Sequence, residues 1–175
     1  MNLLIISASL NPGSKSRLLA DAASTVLTAS GVTHEDLDLK DLPLPLCDGG
    51  AAYGDPNVAK AAEILGRADG IIVASPIYNY DVNAAFKNLV ELTGKGAWED
   101  KTVAFLNAAG GASSYMSIMA MASSLMLDFR CVIVPRFVYA TPDDFADGEI
   151  SNPKIIERVA ACAKATAELT RQRLG

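Results

Sequence analysis

Residues Asn2–Arg17 read NLLIISASLNPGSKSR, and this stretch decides the fold. Asn2 to Ile6 reads as a buried strand, unbroken in apolar residues from Leu3 onward, that ends at Ser7. A loop of small, hydroxyl-bearing residues follows, and then a segment of helical period. A continuous rather than alternating run predicts a strand covered on both faces, as strands in parallel sheets are. Beyond the loop, Leu18, Leu19, Ala22, Ala23, Val26 and Leu27 recur at helical spacing. Strand, polar turn and crossover helix in that order open a βαβ unit.

The pattern repeats outward along the chain. Gly70–Ser75 (GIIVAS), Thr102–Leu106 (TVAFL) and Cys131–Val134 (CVIV) are further buried runs, the last stopped by Pro135. Val32–Leu39 (VTHEDLDL) alternates and predicts an edge strand with one wet face. Asp55-Pro56 caps a helix whose stripe is Val58, Ala61, Ala62 and Leu65. Phe86, Leu89 and Val90 mark a third helix, residues 113–127 a fourth, and Asn152-Pro153 opens the last, with Ile155, Ile156, Val159 and Ala163 on its inner face. Strict alternation predicts one α/β domain over residues 1–175. Its three-layer sandwich holds a five-stranded parallel sheet in the order 2-1-3-4-5, with right-handed crossovers.

Composition narrows the function. Of 175 residues, 20 are acidic and 15 basic, a net charge of −5 that argues against a nucleic-acid partner. A single histidine, His34, excludes multi-histidine metal sites, and its place in the predicted edge strand makes it a surface residue. Cys47, Cys131 and Cys162 form no C-x-x-C pair, which excludes a zinc ribbon and a redox dithiol and suits a reducing cytoplasm. No stretch approaches the ~20 apolar residues of a membrane span, and the apolar start lacks the basic flank of a signal peptide.

In a sheet of this order ligands bind beyond the carboxyl ends of the strands, where strands 1 and 3 diverge. The loop Ser7–Arg17 offers four serine hydroxyls, the Asn11 amide and a helix N-terminus, with Lys15 and Arg17 as the only charges in the first 20 residues. That set suits a phosphate; ordinary capping by Ser14 or Ser16 is the plainer alternative. The loop matches neither G-x-x-x-x-G-K-[ST] nor G-x-G-x-x-G. After strand 3, Ser75-Pro76-Ile77-Tyr78-Asn79-Tyr80 places two aromatics and an amide where a flat heteroaromatic ring can stack, or where they simply cover the sheet edge. After strand 4, Asn107-Ala108-Ala109-Gly110-Gly111-Ala112-Ser113 is stripped of bulk, which admits a ligand or merely ends the strand. Together the three loops describe a mononucleotide lying across the sheet edge.

On these residues the chain resembles the NADPH-dependent FMN reductases, flavodoxin-like flavoproteins. The likeness rests on Ser9 through Ser16, Pro76-x-Tyr78-Asn79, Lys87-Asn88 and Ala109-Gly110-Gly111. It implies FMN as cofactor and NADPH or NADH as reductant. Ser9, Asn11, Ser14 and Ser16 would stand at the phosphate, and Pro76, Ile77, Tyr78, Asn79, Ala109, Gly110 and Gly111 at the isoalloxazine. Asn11 stands where many members carry arginine, and Tyr80-Asp81 replaces the family's small residue and serine. The implied reaction passes hydride from NAD(P)H through flavin to a small-molecule acceptor, a flavin or a quinone. The flavin carries the redox chemistry, so no catalytic side chain and no metal are expected. A flavodoxin-type electron carrier or a non-catalytic flavin-binding protein is the alternative.

One segment points to assembly. Residues 113–127 carry four of the five methionines, and apolar side chains nearly surround the predicted helix. One face must cover the sheet, and the opposite one predicts a homodimer or homotetramer contact, unless the C-terminal helix buries it.

Overall fold

A computed structural model describes residues 1–175. In chain order the first half comprises β1 (Leu3–Ser7), α1 (Lys15–Ala29), β2 (His34–Asp38), α2 (Pro56–Arg67), β3 (Gly70–Tyr78), β4 (Asp81–Val82) and α3 (Ala84–Trp98). The second half comprises β5 (Thr102–Ala109), α4 (Met119–Phe129), β6 (Val132–Ile133), β7 (Val138–Ala140), β8 (Phe145–Ala146), β9 (Glu149–Ile150) and α5 (Pro153–Leu174). The five principal strands pair in parallel as β2-β1-β3-β5-β6, the expected 2-1-3-4-5 order. The fold is flavodoxin-like.

The continuous apolar runs reflect two cores. Leu3, Ile5, Ile72 and Leu106 face α1 and α5, packing on Leu19, Ala23, Val159 and Ala163. Leu4, Ile6, Ile71, Val73, Val103 and Phe105 face α2, α3 and α4, where Phe86 and Trp98 fill the centre. Phe86 meets both Trp98 and Phe105 edge-on, with ring centroids 5.8 and 6.5 Å apart. At Gly70 the C-terminal helix runs so close that a Cβ would collide with Thr170 and come within 2.9 Å of Leu3 Cδ2. The edge strand β2 buries only Leu37, as its alternation predicts. No helix is long and apolar enough to cross a membrane.

Several boundaries differ from expectation, β5 among them, which runs to Ala109 rather than giving way to a loop after Leu106. Pro76 does not end β3, which continues to Tyr78 in register with β5 up to Ala109. The Ala74 carbonyl accepts from Ala8 N–H at 2.9 Å, so the residue two places on also points its backbone toward the β1 side. There β1 has already ended, and the N–H that proline lacks costs no ladder bond.

The predicted strand Cys131–Val134 is interrupted. It pairs with β5 only over Val132–Ile133 and resumes as β7, Ile133 lying opposite Val103 and Val138 opposite Leu106. Over that interval β5 advances three residues and the edge strand five, so the extra chain bulges out around Pro135-Arg136-Phe137. The predicted helix 113–127 becomes α-helical only at Met119, after a tight turn at Ala112–Ser114 and bonds from Ser117 N–H to Ser114 O and Met119 N–H to Met116 O.

Candidate active site

Strand register brings the three loops to one edge. Ser7 lies beside Ala74, Ser75 beside Asn107, Pro76 beside Ala108 and Ile77 beside Ala109. His34 lies opposite Leu3 at the far end of the strands, half-buried, with Ser24 Oγ 2.9 Å from Nε2 and the Val32 carbonyl 3.1 Å from Nδ1. It is outside the site.

The first loop closes on itself. Asn11 N–H donates to Ser9 Oγ (3.2 Å), Gly13 N–H to Asn11 Oδ1 (3.0 Å) and Ser14 N–H to the Asn11 carbonyl (3.1 Å). Ser14 occupies the N-cap of α1 but makes no capping bond with its side chain. Its hydroxyl pairs with that of Ser16 at 2.8 Å, both residues being buried. The N–H groups of Ser9, Leu10, Lys15 and Ser16 have no partner, and the buried Ser7 Oγ has none either. A cluster of donors at a helix N-terminus, with the hydroxyls released from capping, fits a phosphate.

The two cations of this segment do not serve that cluster. Arg17 is ion-paired with Asp38 at the end of β2, and Lys15 Nζ lies 5.5 Å from the centroid of the Phe145 ring.

At the other end Tyr78 and Asp81 flank a two-residue hairpin turn. Asn79 (φ 51°) and Tyr80 (φ 66°) are both left-handed, as a type I′ turn requires. Asparagine tolerates this; tyrosine does so at a cost of about 1–2 kcal/mol. Both tyrosines are 55% exposed. Asp81 turns its carboxylate onto Val82 N–H at 2.7 Å.

Ile77, Ala109 and Tyr139 form a small buried cluster beneath this edge, so Ile77 and Ala109 are floor rather than loop. Gly110 and Gly111 have no left-handed backbone, and a Cβ on either would meet nothing within 4 Å. Their small size leaves open space where a planar ring can lie. Tyr139 donates its hydroxyl to the Gly111 carbonyl, bracing the loop.

Sequence reasoning missed Asn83. Placed at the start of α3, it caps nothing. Its Nδ2 donates to the Ala8 carbonyl at 2.6 Å, and its Oδ1 accepts from Ser75 Oγ at 3.1 Å, fastening the first loop to β3. Asparagine preceding a helix reads as a cap, which hid its role. Asn107, directly beside Ser75, is a buried amide with neither Oδ1 nor Nδ2 partnered.

A donor cluster for phosphate, a flat floor and a glycine-framed opening, at the switch point of a 2-1-3-4-5 sheet, define a mononucleotide-binding α/β protein of the flavodoxin-like class. The family model for NADPH-dependent FMN reductase matches residues 1–146. An NAD(P)H-dependent FAD/FMN reductase of Geobacillus thermodenitrificans is 32% identical over 130 residues, 73% of this chain and 70% of that protein. A probable NADPH:quinone oxidoreductase of Oryza sativa subsp. japonica is 30% identical over 169 residues, 91% of this chain and 83% of that protein. An oxidoreductase structure from Corynebacterium diphtheriae superposes with a TM-score of 0.78 at 24% identity, covering 98% of this chain and 97% of that one. The chain belongs to the NADPH-dependent FMN reductase family and is a flavin-dependent NAD(P)H oxidoreductase.

Proposed function

We propose that the whole chain is one FMN-binding domain that passes hydride from NAD(P)H to a small flavin or quinone acceptor. The observation that carries this reading is the Ser14–Ser16 hydroxyl pair, free of capping at the N-terminus of α1 and aligned along the sheet edge with the Gly110-Gly111 opening. Ser9, Asn11, Ser14 and Ser16 hold the FMN phosphate. Pro76, Ile77, Tyr78 and Asn79 border the ring on one side, and Ala109, Gly110 and Gly111 on the other.

Bound FMN supplies the hydride chemistry. The protein holds and orients it: Ile77 and Ala109 form a dry floor, and the backbone amides of the glycine loop are dipoles available to negative charge on the ring. No acid–base side chain is assigned.

Tyr115, Met116, Met119, Met126 and Leu127 are all exposed, and this apolar surface supports a homodimer or homotetramer. Three free cysteines support a reducing, cytoplasmic setting. The test is to load the protein with FMN and mix it anaerobically with NADPH or NADH. Rapid bleaching of the flavin is expected. Bound flavin that neither nucleotide reduces would turn the reading to an electron carrier, and a protein that binds no flavin would end it.

A further inference from the structure

The bulge between β6 and β7 projects Arg136 and Phe137 from the sheet edge, where regular pairing would have kept the strand in line. Beside it Arg158 and Ala161 stand on the flank of α5. With Tyr115 and Pro135 these residues line a pocket of about 230 Å³. Its composition is unusual for this chain. Arg17, Arg67 and Arg130 are paired with carboxylates, and Arg173 donates to the Asp100 carbonyl. Arg136 and Arg158, like Arg171 in the last turn of α5, have neither an ion-pair nor a hydrogen-bond partner, and two distant elements deliver these two to one pocket. In a protein with 20 acidic residues, none lines it.

Two guanidiniums present planar, permanently charged forks that match a phosphate bidentately. The Tyr115 and Phe137 rings, 5.3 Å apart, add flat apolar surface for a base. The pocket also communicates with the ring end of the site. Tyr115 packs on Tyr139 at 5.6 Å, and Tyr139 is bonded to Gly111. A ligand that begins over the glycine loop and ends in this pocket has a reactive ring at one end and an adenosine phosphate at the other.

We propose that Arg136 and Arg158 bind the 2′-phosphate of NADPH, with Tyr115 and Phe137 against its adenosine, and so make this chain prefer NADPH to NADH. The proposal rests on the oxidoreductase reading and adds the choice of reductant. The dinucleotide's adenosine end carries a phosphate monoester only in NADPH, so the two arginines discriminate by a group remote from the hydride.

The test combines binding and kinetics on FMN-loaded protein. By calorimetry the wild type is expected to bind adenosine 2′,5′-bisphosphate at least tenfold more tightly than adenosine 5′-monophosphate, and the Arg136→Gln/Arg158→Gln variant to lose that difference. In steady state the variant should raise KM for NADPH at least tenfold while kcat and the KM for NADH hold. Equal affinity of the wild type for the two adenosine phosphates would overturn the proposal, as would a variant that retains the preference. Should neither dinucleotide reduce the flavin, the oxidoreductase reading fails, and the bisphosphate titration still decides the pocket.

Discussion

Asn83 Nδ2 donates a 2.6 Å hydrogen bond to the Ala8 carbonyl across 75 positions of sequence, and the two residues are buried. The bond ties the phosphate loop to the segment that leads into the ring loop. Replacing Asn83 by alanine leaves a buried carbonyl unpaired, a loss of about 1–3 kcal/mol. We expect a lower urea midpoint together with an FMN affinity roughly tenfold weaker, since about 1.4 kcal/mol corresponds to a factor of ten. A stability loss with unchanged FMN affinity would show that the bond serves the scaffold alone.

The hydroxyls of Ser14 and Ser16 make no capping bond, so their loss should be felt by ligand rather than by fold. Hydrogen bonds to a charged group contribute about 1.5–3 kcal/mol each. Fluorescence titration of Ser14→Ala/Ser16→Ala should show FMN binding weakened by at least ten-fold, with riboflavin binding unchanged.

Gly110 faces open space in the free protein. A Gly110→Val variant should therefore keep its thermal midpoint, within about 0.5 kcal/mol of the parent. FMN affinity should fall more than tenfold as the isopropyl group takes the room left for the ring. Unimpaired binding would move the flavin away from this loop.

Tyr80 holds a left-handed backbone that glycine adopts freely. Tyr80→Gly creates the Asn-Gly pair that type I′ turns favour and should raise stability by about 0.5–1 kcal/mol, allowing for glycine's greater entropy loss on folding. The urea midpoint decides it, and a decrease would mean that the exposed ring contributes packing.

Burial pushes the Cys131 thiol up to about 11 and that of Cys162 up to about 12, from an ordinary 9.0. Both thiols stay neutral in the folded protein while the unfolded chain ionises. Their contribution to stability is complete below pH 9 and is lost as pH rises through 11 to 12. The urea midpoint should accordingly decline between pH 8.5 and pH 11. Iodoacetamide at pH 8 should label Cys47, the half-buried thiol, and reach the two buried ones only in denaturant.

The strand order was legible because each run, such as Leu3 to Ile6, places alternate residues against different helices, leaving an unbroken apolar string. The Ser9–Ser16 loop was legible because hydroxyls before a helix have few uses. Other features depend on what lies alongside in space. Pro76 looks like a strand breaker until one sees that β1 has already ended, and Asn83 looks like a cap until its partner proves to be Ala8. The charges of Lys15 and Arg17 were visible, but not that Phe145 and Asp38 engage them. Arg136 gave no signal, because a bulge is defined by the register of the strand opposite.

The edges of the sheet also bear on how the protein behaves at high concentration. An exposed strand edge is a template on which another molecule can lay its own strand. On one side that edge is β2, whose sequence HEDLD carries four ionisable side chains in five residues. On the other, Val132–Ala140 would be a nearly continuous apolar ribbon were it not cut at Pro135 and Arg136. The same interruption that presents a guanidinium to solvent denies a neighbouring chain an uninterrupted row of backbone donors and acceptors. It protects the sheet from growing into an aggregate.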